Sequence, residues 1–278
     1  VLWVPQKGKL LVEHNTGTVG SLTAGTSVTT GAASSTKGTA VQLIASTAFE
    51  AYWLTVIAYA YGNTATDSQG CLDILTGAAT EEVLIPNLLM GFCGTQALGP
   101  GRGHKRWDFP LYIPAGSRLA AQAAGMRLST AMRVMVFLYG GDGIPHYQVG
   151  TKVTTYGVTV PVGTTVVPGA SGAEGAWTQI SASSSENHFA IVPSFQPGTD
   201  TTLNTLAYAY DIGIGAATEE EIAQSYWYAV NADEAMFGAI NSMPTFQDIP
   251  SGTRLSVRVS NSGVNDLGNY NGALHCVS

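Results

Sequence analysis

Three residue arrangements in this chain have the types needed for chemistry. The first is a carboxylate set that occurs twice. Asp73 with Glu81-Glu82 and Asp211 with Glu219-Glu220 follow the same order beside the same glycines, Gly77 and Gly215, at an offset of 138 residues (73 to 211). Paired carboxylates can do general acid–base work. A set that recurs in a repeated segment beside Gly and Thr is instead expected to serve the backbone. Asp73 and Asp211 would then sit in structural turns, with the glutamates on solvated tips. The second arrangement is the chain's one cationic cluster, Arg102, His104, Lys105, Arg106 and Trp107. The third is the aromatic run Tyr226-Trp227-Tyr228. Trp, Tyr and Arg dominate interface hot spots, and exposed aromatics also stack on sugars, so both groups are candidate partner- or glycan-binding residues. A solvated loop and a buried strand are the plainer alternatives.

Other chemistry finds little support. The chain carries no HExxH, GxSxG, Walker A or EF-hand pattern. Gly213-Ile214-Gly215-Ala216-Ala217-Thr218 begins like a dinucleotide fingerprint but lacks its third Gly or Ala, and its duplication in a β context makes it a turn. Gly99–Lys105 lacks the phosphate-loop spacing and reads as a loop. Histidines 14, 104, 146, 188 and 275 are scattered without metal-ligand spacing. The cluster from Asn265 to Asn271 could offer oxygen ligands to calcium, but hairpin turn chemistry is the simpler expectation. Cys71, Cys93 and Cys276 are odd in number and widely spaced. They are expected to be buried thiols, with a Cys71–Cys93 bridge as the alternative. No catalytic residue, metal or cofactor is assigned, and the chain is expected not to be an enzyme.

The elements that must position these residues are repeated. Ile113-Pro114-Ala115-Gly116-Ser117-Arg118-Leu119 matches Ile249-Pro250-Ser251-Gly252-Thr253-Arg254-Leu255 at an offset of 136 (113 to 249). Together with the Asp-Ile blocks, this implies two copies of a whole domain by internal duplication. In each copy Pro114 or Pro250 fixes φ on the way into a turn, and Gly116 or Gly252 supplies its φ > 0 position. Leu255, Val257 and Val259 alternate with polar residues, as do Val158, Val160 and Val162. Segments 51–61 and 133–139 are rich in β-branched and aromatic residues. Many short strands with regular turn signals predict an all-β chain of two tandem β-sandwich, jelly-roll-like domains. The expected organisation is an amino-terminal arm over 1–20, a first sandwich over 21–141, a linker over 142–150 and a second sandwich over 151–278. Thr218–Glu221 could be a capping box opening a short helix, and 231–240 is the best helical window.

Composition removes several classes. Only 11% of the 278 residues are charged, against about 25% in an ordinary soluble domain, while 45% are hydrophobic. Disorder and long coiled coils are excluded on those grounds. Net charge is −7. Residues 1–150 hold nine basic and eight acidic residues, and 151–278 hold three and eleven. No nucleic-acid partner is expected of such a chain. The most apolar window, Ala48–Tyr61, contains Glu50 and is too short to cross a bilayer, so no membrane insertion is expected. Val1–Val12 lacks a signal-peptide apolar run.

The stretch Leu72–Leu89, with Leu-Asp-Ile-x-x-Gly-Ala-Ala-x-Glu-Glu-Val-Leu-Ile-Pro-Asn-Leu-Leu, and Phe109–Leu119 resemble accessory virion proteins of tailed bacteriophages: head-decoration, head-spike and fibre subunits. The resemblance implies β-sandwich or jelly-roll modules and brings no catalytic residues. Copy two departs from it where Pro86-Asn87-Leu88 becomes Gln224-Ser225-Tyr226. The expected function is a virion structural protein, assembled in the host cytoplasm, contacting copies of itself and other virion proteins. The alternative is a carbohydrate-binding module for host-surface glycans. Complementary contact between the Arg102–Arg106 cluster and the acidic second copy of an adjacent subunit is a further expectation.

Overall fold

A computed structural model describes residues 8–17, 24–60, 68–77, 81–92, 105–126, 131–142, 148–170, 172–197, 206–215, 218–229, 243–261 and 270–278. Every regular element among them is a strand. The first half supplies β1 (Leu11–His14), β2 (Thr26–Thr29), β3 (Val41–Ile44), β4 (Ala51–Ala60), β5 (Ser68–Thr76), β6 (Glu82–Phe92), β7 (Lys105–Phe109), β8 (Leu119–Gly125) and β9 (Ala131–Gly140). The second half supplies β10 (Val153–Tyr156), β11 (Val158–Thr159), β12 (Val162–Val166), β13 (Thr178–Ser181), β14 (His188–Pro197), β15 (Leu206–Ile214), β16 (Glu220–Ala229), β17 (Thr245–Ile249), β18 (Leu255–Asn261) and β19 (Tyr270–Val277).

These strands form four antiparallel sheets. In the first half, β1-β9-β4-β7, with β2 also on β9, faces β3-β8-β5-β6. The second half sets β11-β12-β19-β14-β17, with β10 also on β19, against β13-β18-β15-β16. With β10 in the place of β1, β12 in the place of β2, and β13 to β19 in the places of β3 to β9, the two strand orders coincide. The short β11, paired with β12, is the one addition.

Period-2 alternation builds each core. In β9, Met132, Val134, Val136 and Leu138 point inward, and the residues between them are half-buried. They meet Leu54 and Val56 of β4, Leu72 and Ile74 of β5 and Ile85 and Leu88 of β6 in one cluster. The second core gathers Ile191, Tyr210, Ile212, Leu255, Val257, Val259 and Leu274.

Each repeated Pro-x-Gly turn is anchored by a hydroxyl residue outside the matching sequence blocks. Thr47 Oγ1 donates to Pro114 O at 2.8 Å and accepts from Ser117 N at 2.9 Å. Gly116 N, at φ +80, donates to Thr47 O. In the second half Ser184 Oγ donates to Pro250 O at 2.8 Å and accepts from Thr253 N at 3.1 Å. Gly252 N, at φ +91, donates to Ser184 O. A buried hydroxyl thus ties each turn to a neighbouring loop, and both are nearly inaccessible to water.

Several expectations change here. The arm over 1–20 contributes β1, which pairs with β9 from Leu11↔Gly140 to His14↔Phe137. The capping box at 218–221 opens no helix. Glu220 begins β16, because pairing along β15 satisfies this backbone instead. The helical window 231–240 lies outside the described residues. Asp73 and Asp211 are not turn residues, because they sit within β5 and β15 and are buried. Gly77 and Gly215 do end those strands with positive φ, donating to Arg118 O and Arg254 O.

Removing either anchoring hydroxyl leaves buried groups unpaired. Thr47→Val and Ser184→Ala should each lower unfolding free energy by about 1–3 kcal/mol. In urea melts the midpoint should fall while the slope stays constant.

Candidate functional site

The two recurring aspartates occupy matching sites with differently arranged cations. Both lie on the outer face of their sheet, since Leu72, Ile74 and Ile212 beside them point into the cores. Asp73 Oδ1 accepts from Lys37 Nζ at 2.7 Å and from Asn87 N at 2.8 Å, and Gln122 Nε2 donates to Oδ2 at 2.9 Å. Asp211 Oδ2 accepts from Arg258 Nε at 2.6 Å. Arg258 also reaches Glu174 at 2.6 Å and Glu221 at 2.9 Å, and lies 4.5 Å over the Trp177 ring. The registers Asp73↔Gln122 and Asp211↔Arg258 make Gln122 and Arg258 equivalent. Gly38 N bonds Ala123 O as Gly175 N bonds Val259 O, which makes Lys37 and Glu174 equivalent. The cation therefore stands on the lead-in loop in the first half and on the strand in the second, where an acid occupies the lead-in position.

Of the repeated glutamates, Glu82 and Glu220 are exposed as expected, while Glu81 and Glu219 are bound. Glu81 pairs with Arg118, and Glu219 with Arg254 at 2.9 Å. Each links the tip between two strands to the strand after the Pro-x-Gly turn. These carboxylates hold sheets together, and their neighbours are cations rather than a cleft.

Within the cationic cluster, Trp107 does not reach the surface expected of it. Trp107 is 1% exposed and belongs to the first core, opposite Val56 on β4. In β7 it follows the exposed Arg106, and strand alternation turns it inward. Arg106 donates through Nε and Nη2 to Asp108 at 2.8 and 3.0 Å. Lys105 Nζ donates to Leu89 O at 3.3 Å. Both cations are thus engaged within their own unit. Arg102 and His104 lie outside the described residues. Tyr226, Trp227 and Tyr228 lie in β16, paired with Ala209, Tyr208 and Ala207, and their side chains lie outside the description.

Asn271 is buried and accepts from Thr165 Oγ1 at 3.2 Å, while 265, 266 and 269 lie outside the described residues. Among the described residues no three His, Cys, Asp or Glu side chains converge as metal ligands. Cys71 and Cys276 are buried free thiols, and burial pushes both thiol pKa values up. Cys93 lies outside the described residues.

Sequence reasoning missed two groups. On the surface, Tyr52 and Tyr112 stand 5.7 Å apart ring to ring, and both hydroxyls donate to Glu50 at 3.1 Å. The bridge between Ala51 and Ile113 places them side by side. Their signal was too diffuse to find, because the partners come from distant segments. The second group is buried between the two halves. Alternate residues of β14 and β19 face the first half: Ala190, Val192 and Val277 join its core, and Ala273 packs with Cys71 and Leu89. Leu89 comes so close to Gly163 that a Cβ there would stand 2.5 Å from Leu89 Cδ1. His275 sits in this contact, fully buried, beside the Phe109 ring. Thr155 Oγ1 donates to Pro86 O at 2.7 Å, so His275 Nδ1 must donate to Thr155 at 2.7 Å. Ser194 Oγ accepts from Leu89 N at 3.3 Å and donates to Nε2 at 2.7 Å. This network satisfies the neutral ring, and burial lowers its pKa from 6.5 to about 3.

No family model matches this chain, and no curated protein does. Among solved structures it is similar to PNGF-II in two crystal forms. One is 8% identical with a TM-score of 0.38, over 86% of this chain and 59% of that one. The other is 7% identical with a TM-score of 0.39, over 91% and 65%. The chain thus spans less than two thirds of the length of either. It is also similar to the infectious bursal disease virus VP2 subviral particle, at 11% identity and a TM-score of 0.26, over 99% of this chain and 73% of that one. These are distant likenesses between chains, and no function follows from them.

His275 makes stability depend on pH. Its folded pKa lies below its unfolded one, so the unfolded chain binds the extra proton between the two. Stability is complete above about 6.5 and falls as pH drops towards about 3, by up to roughly 4 kcal/mol. Denaturation midpoints measured from pH 7 to pH 4 should decline, and the decline should be shallower in His275→Gln.

Proposed function

We propose that this chain is a non-enzymatic structural subunit of a tailed-bacteriophage particle, built by internal duplication, that decorates or stabilises the particle. Its contacts would be with copies of itself and with other virion proteins. One observation carries the reading: the repeated, chemistry-capable residues are spent inside the sheets, while apolar side chains are left at outer strands. Asp73, Asp211, Glu81 and Glu219 are all paired with cations within their own halves. Val12 on β1 and Phe246 on β17, both at sheet ends, are 46% and 53% exposed, with Leu10 and Met243 beside them. Exposed apolar groups at sheet edges suit strand-edge or face contacts with neighbours. The sequence resemblance of 72–89 and 109–119 to accessory virion proteins points the same way.

Glycan binding is a second reading, favoured by the Tyr52–Tyr112–Glu50 group. Two half-buried aromatic faces and a carboxylate acceptor suit a sugar's C–H face and hydroxyls. Trp107, being core, is no part of it.

Light scattering after size-exclusion chromatography should give a homo-oligomer, and Phe246→Lys should weaken it without changing the melting midpoint by more than a few degrees. A monomer at all concentrations, absent from purified particles, would overturn the structural reading. Glycan-array binding lost on Tyr112→Ala, with assembly unaffected, would establish the second.

A further inference from the structure

Lys37, Asp73, Asn87 and Cys71 converge on the outer face of the sheet formed by β3, β8, β5 and β6. Lys37 Nζ stands 2.7 Å from Asp73 Oδ1, 2.8 Å from Asn87 Oδ1 and 3.2 Å from Cys71 Sγ. The Lys37 side chain is 21% exposed and that of Asp73 is 6% exposed. Asn87 is held in an unusual way. Opposite Asp73 the β5–β6 register shifts, pairing passing from Leu72↔Leu88 to Ile74↔Ile85. At that irregularity Asn87 takes φ +55, a conformation rare outside glycine, and its N–H donates to Asp73 Oδ1. Gln122 fixes the other carboxylate oxygen. An amine, a carboxamide and a carboxylate are thus locked together. Cys71, at 3.5 Å, donates to the same Asn87 Oδ1 and polarises that carbonyl along with Lys37.

We propose that Lys37 and Asn87 are joined by an intramolecular isopeptide bond, with Asp73 as the proton carrier. Asp73 takes a proton from the Lys37 ammonium, and the freed lone pair of Nζ attacks Cγ of Asn87. The Nζ–Cγ bond forms. The tetrahedral centre then collapses as Asp73 returns the proton to Nδ2, and the Cγ–Nδ2 bond breaks to release ammonia. The new amide nitrogen gives up its extra proton to Asp73, from which the ammonia leaves as ammonium. In sum, an ammonium and a carboxamide become a secondary amide and an ammonium ion, and no oxidant or co-reactant is consumed. Fixed proximity in a site largely closed to water is what such an attack requires.

The second half shows that this trio is not needed to neutralise the aspartate. There Glu174 stands in the place of the lysine, Gln224 pairs opposite Asp211 without the extra residue that Asn87 adds to β6, no amine is present, and Arg258 balances the charge instead. The bond would tie the lead-in to β3 onto β6, the strand that packs against the second half.

Intact mass of the full chain decides the matter. The wild type should weigh less than its sequence by one ammonia. Lys37→Arg, Asn87→Ala and Asp73→Asn should each appear at their sequence mass. Digestion with trypsin and a Glu-specific protease should yield residues 14–50 linked to 83–102, uncleaved after Lys37. The cross-linked wild type should also melt above Asn87→Ala. A wild type at its sequence mass, cleaved after Lys37, overturns the proposal. So does a mass gain on Cys71 or a Lys37–Cys71 adduct. The wild-type measurement stands by itself, whether or not a variant folds.

Discussion

Most of this molecule follows from one constraint: β14 and β19 are dry on both faces. All eight residues of β19 are buried. One face of these strands packs into their own sandwich and the other against β6 and β7 of the first half. Every polar group on the second face must then find a partner within the protein, since no water reaches it. His275, Thr155 and Ser194 meet that demand with the backbone of Pro86 and Leu89 as counterparts. The irregular stretch of β6 that puts Pro86 O within reach of Thr155 also puts Asn87 beside Lys37. The contact between halves and the side-chain cluster on the first sheet therefore depend on the same local departure from regular pairing.

The buried carboxylates obey the same rule. A charge with little access to water is tolerable only when paired and hydrogen-bonded. Asp73 has a lysine, an amide N–H and a carboxamide, while Asp211 has one arginine shared with two glutamates. The aspartate is common to both halves, but its means of neutralisation is not. Arg258 serves three carboxylates at once, so this cluster keeps a net excess of negative charge.

Strand content, the Pro-x-Gly turns and the sandwich architecture were legible because they rest on local pattern: β-branched and aromatic content in β9, alternation in β18, and turn chemistry at Pro114–Gly116 and Pro250–Gly252. What escaped was tertiary. Thr47 and Ser184 lie in Ser/Thr-rich stretches where single matches carry no signal, though both keep the repeat's offset. Lys37 and Arg258 could not be found by comparing copies, because the cation changed position between them. Trp107 was misjudged because a run of basic residues looks solvated, while a strand sends neighbouring side chains to opposite faces. The halves' contact was invisible because β19 reads alike whether one face or both are covered.

The displaced cation bears on how such a chain avoids folding wrongly. Two modules with one strand order offer each other's partners during folding, a known route to misassembly in tandem proteins. Suppose the lead-in of the first half docked on the central strands of the second. Lys37 would then meet Arg258, one cation against another, and Arg258 would lose its Glu174 partner. In the reverse exchange Glu174 would meet Gln122, leaving two acids with no cation between them. In each exchange the incoming lead-in sets its charge against a like charge, Lys37 against Arg258 and Glu174 against Asp73, whereas each native pairing sets opposite charges together. The exchange of charge positions between the halves thus works as an address, directing each lead-in segment to its own sheet.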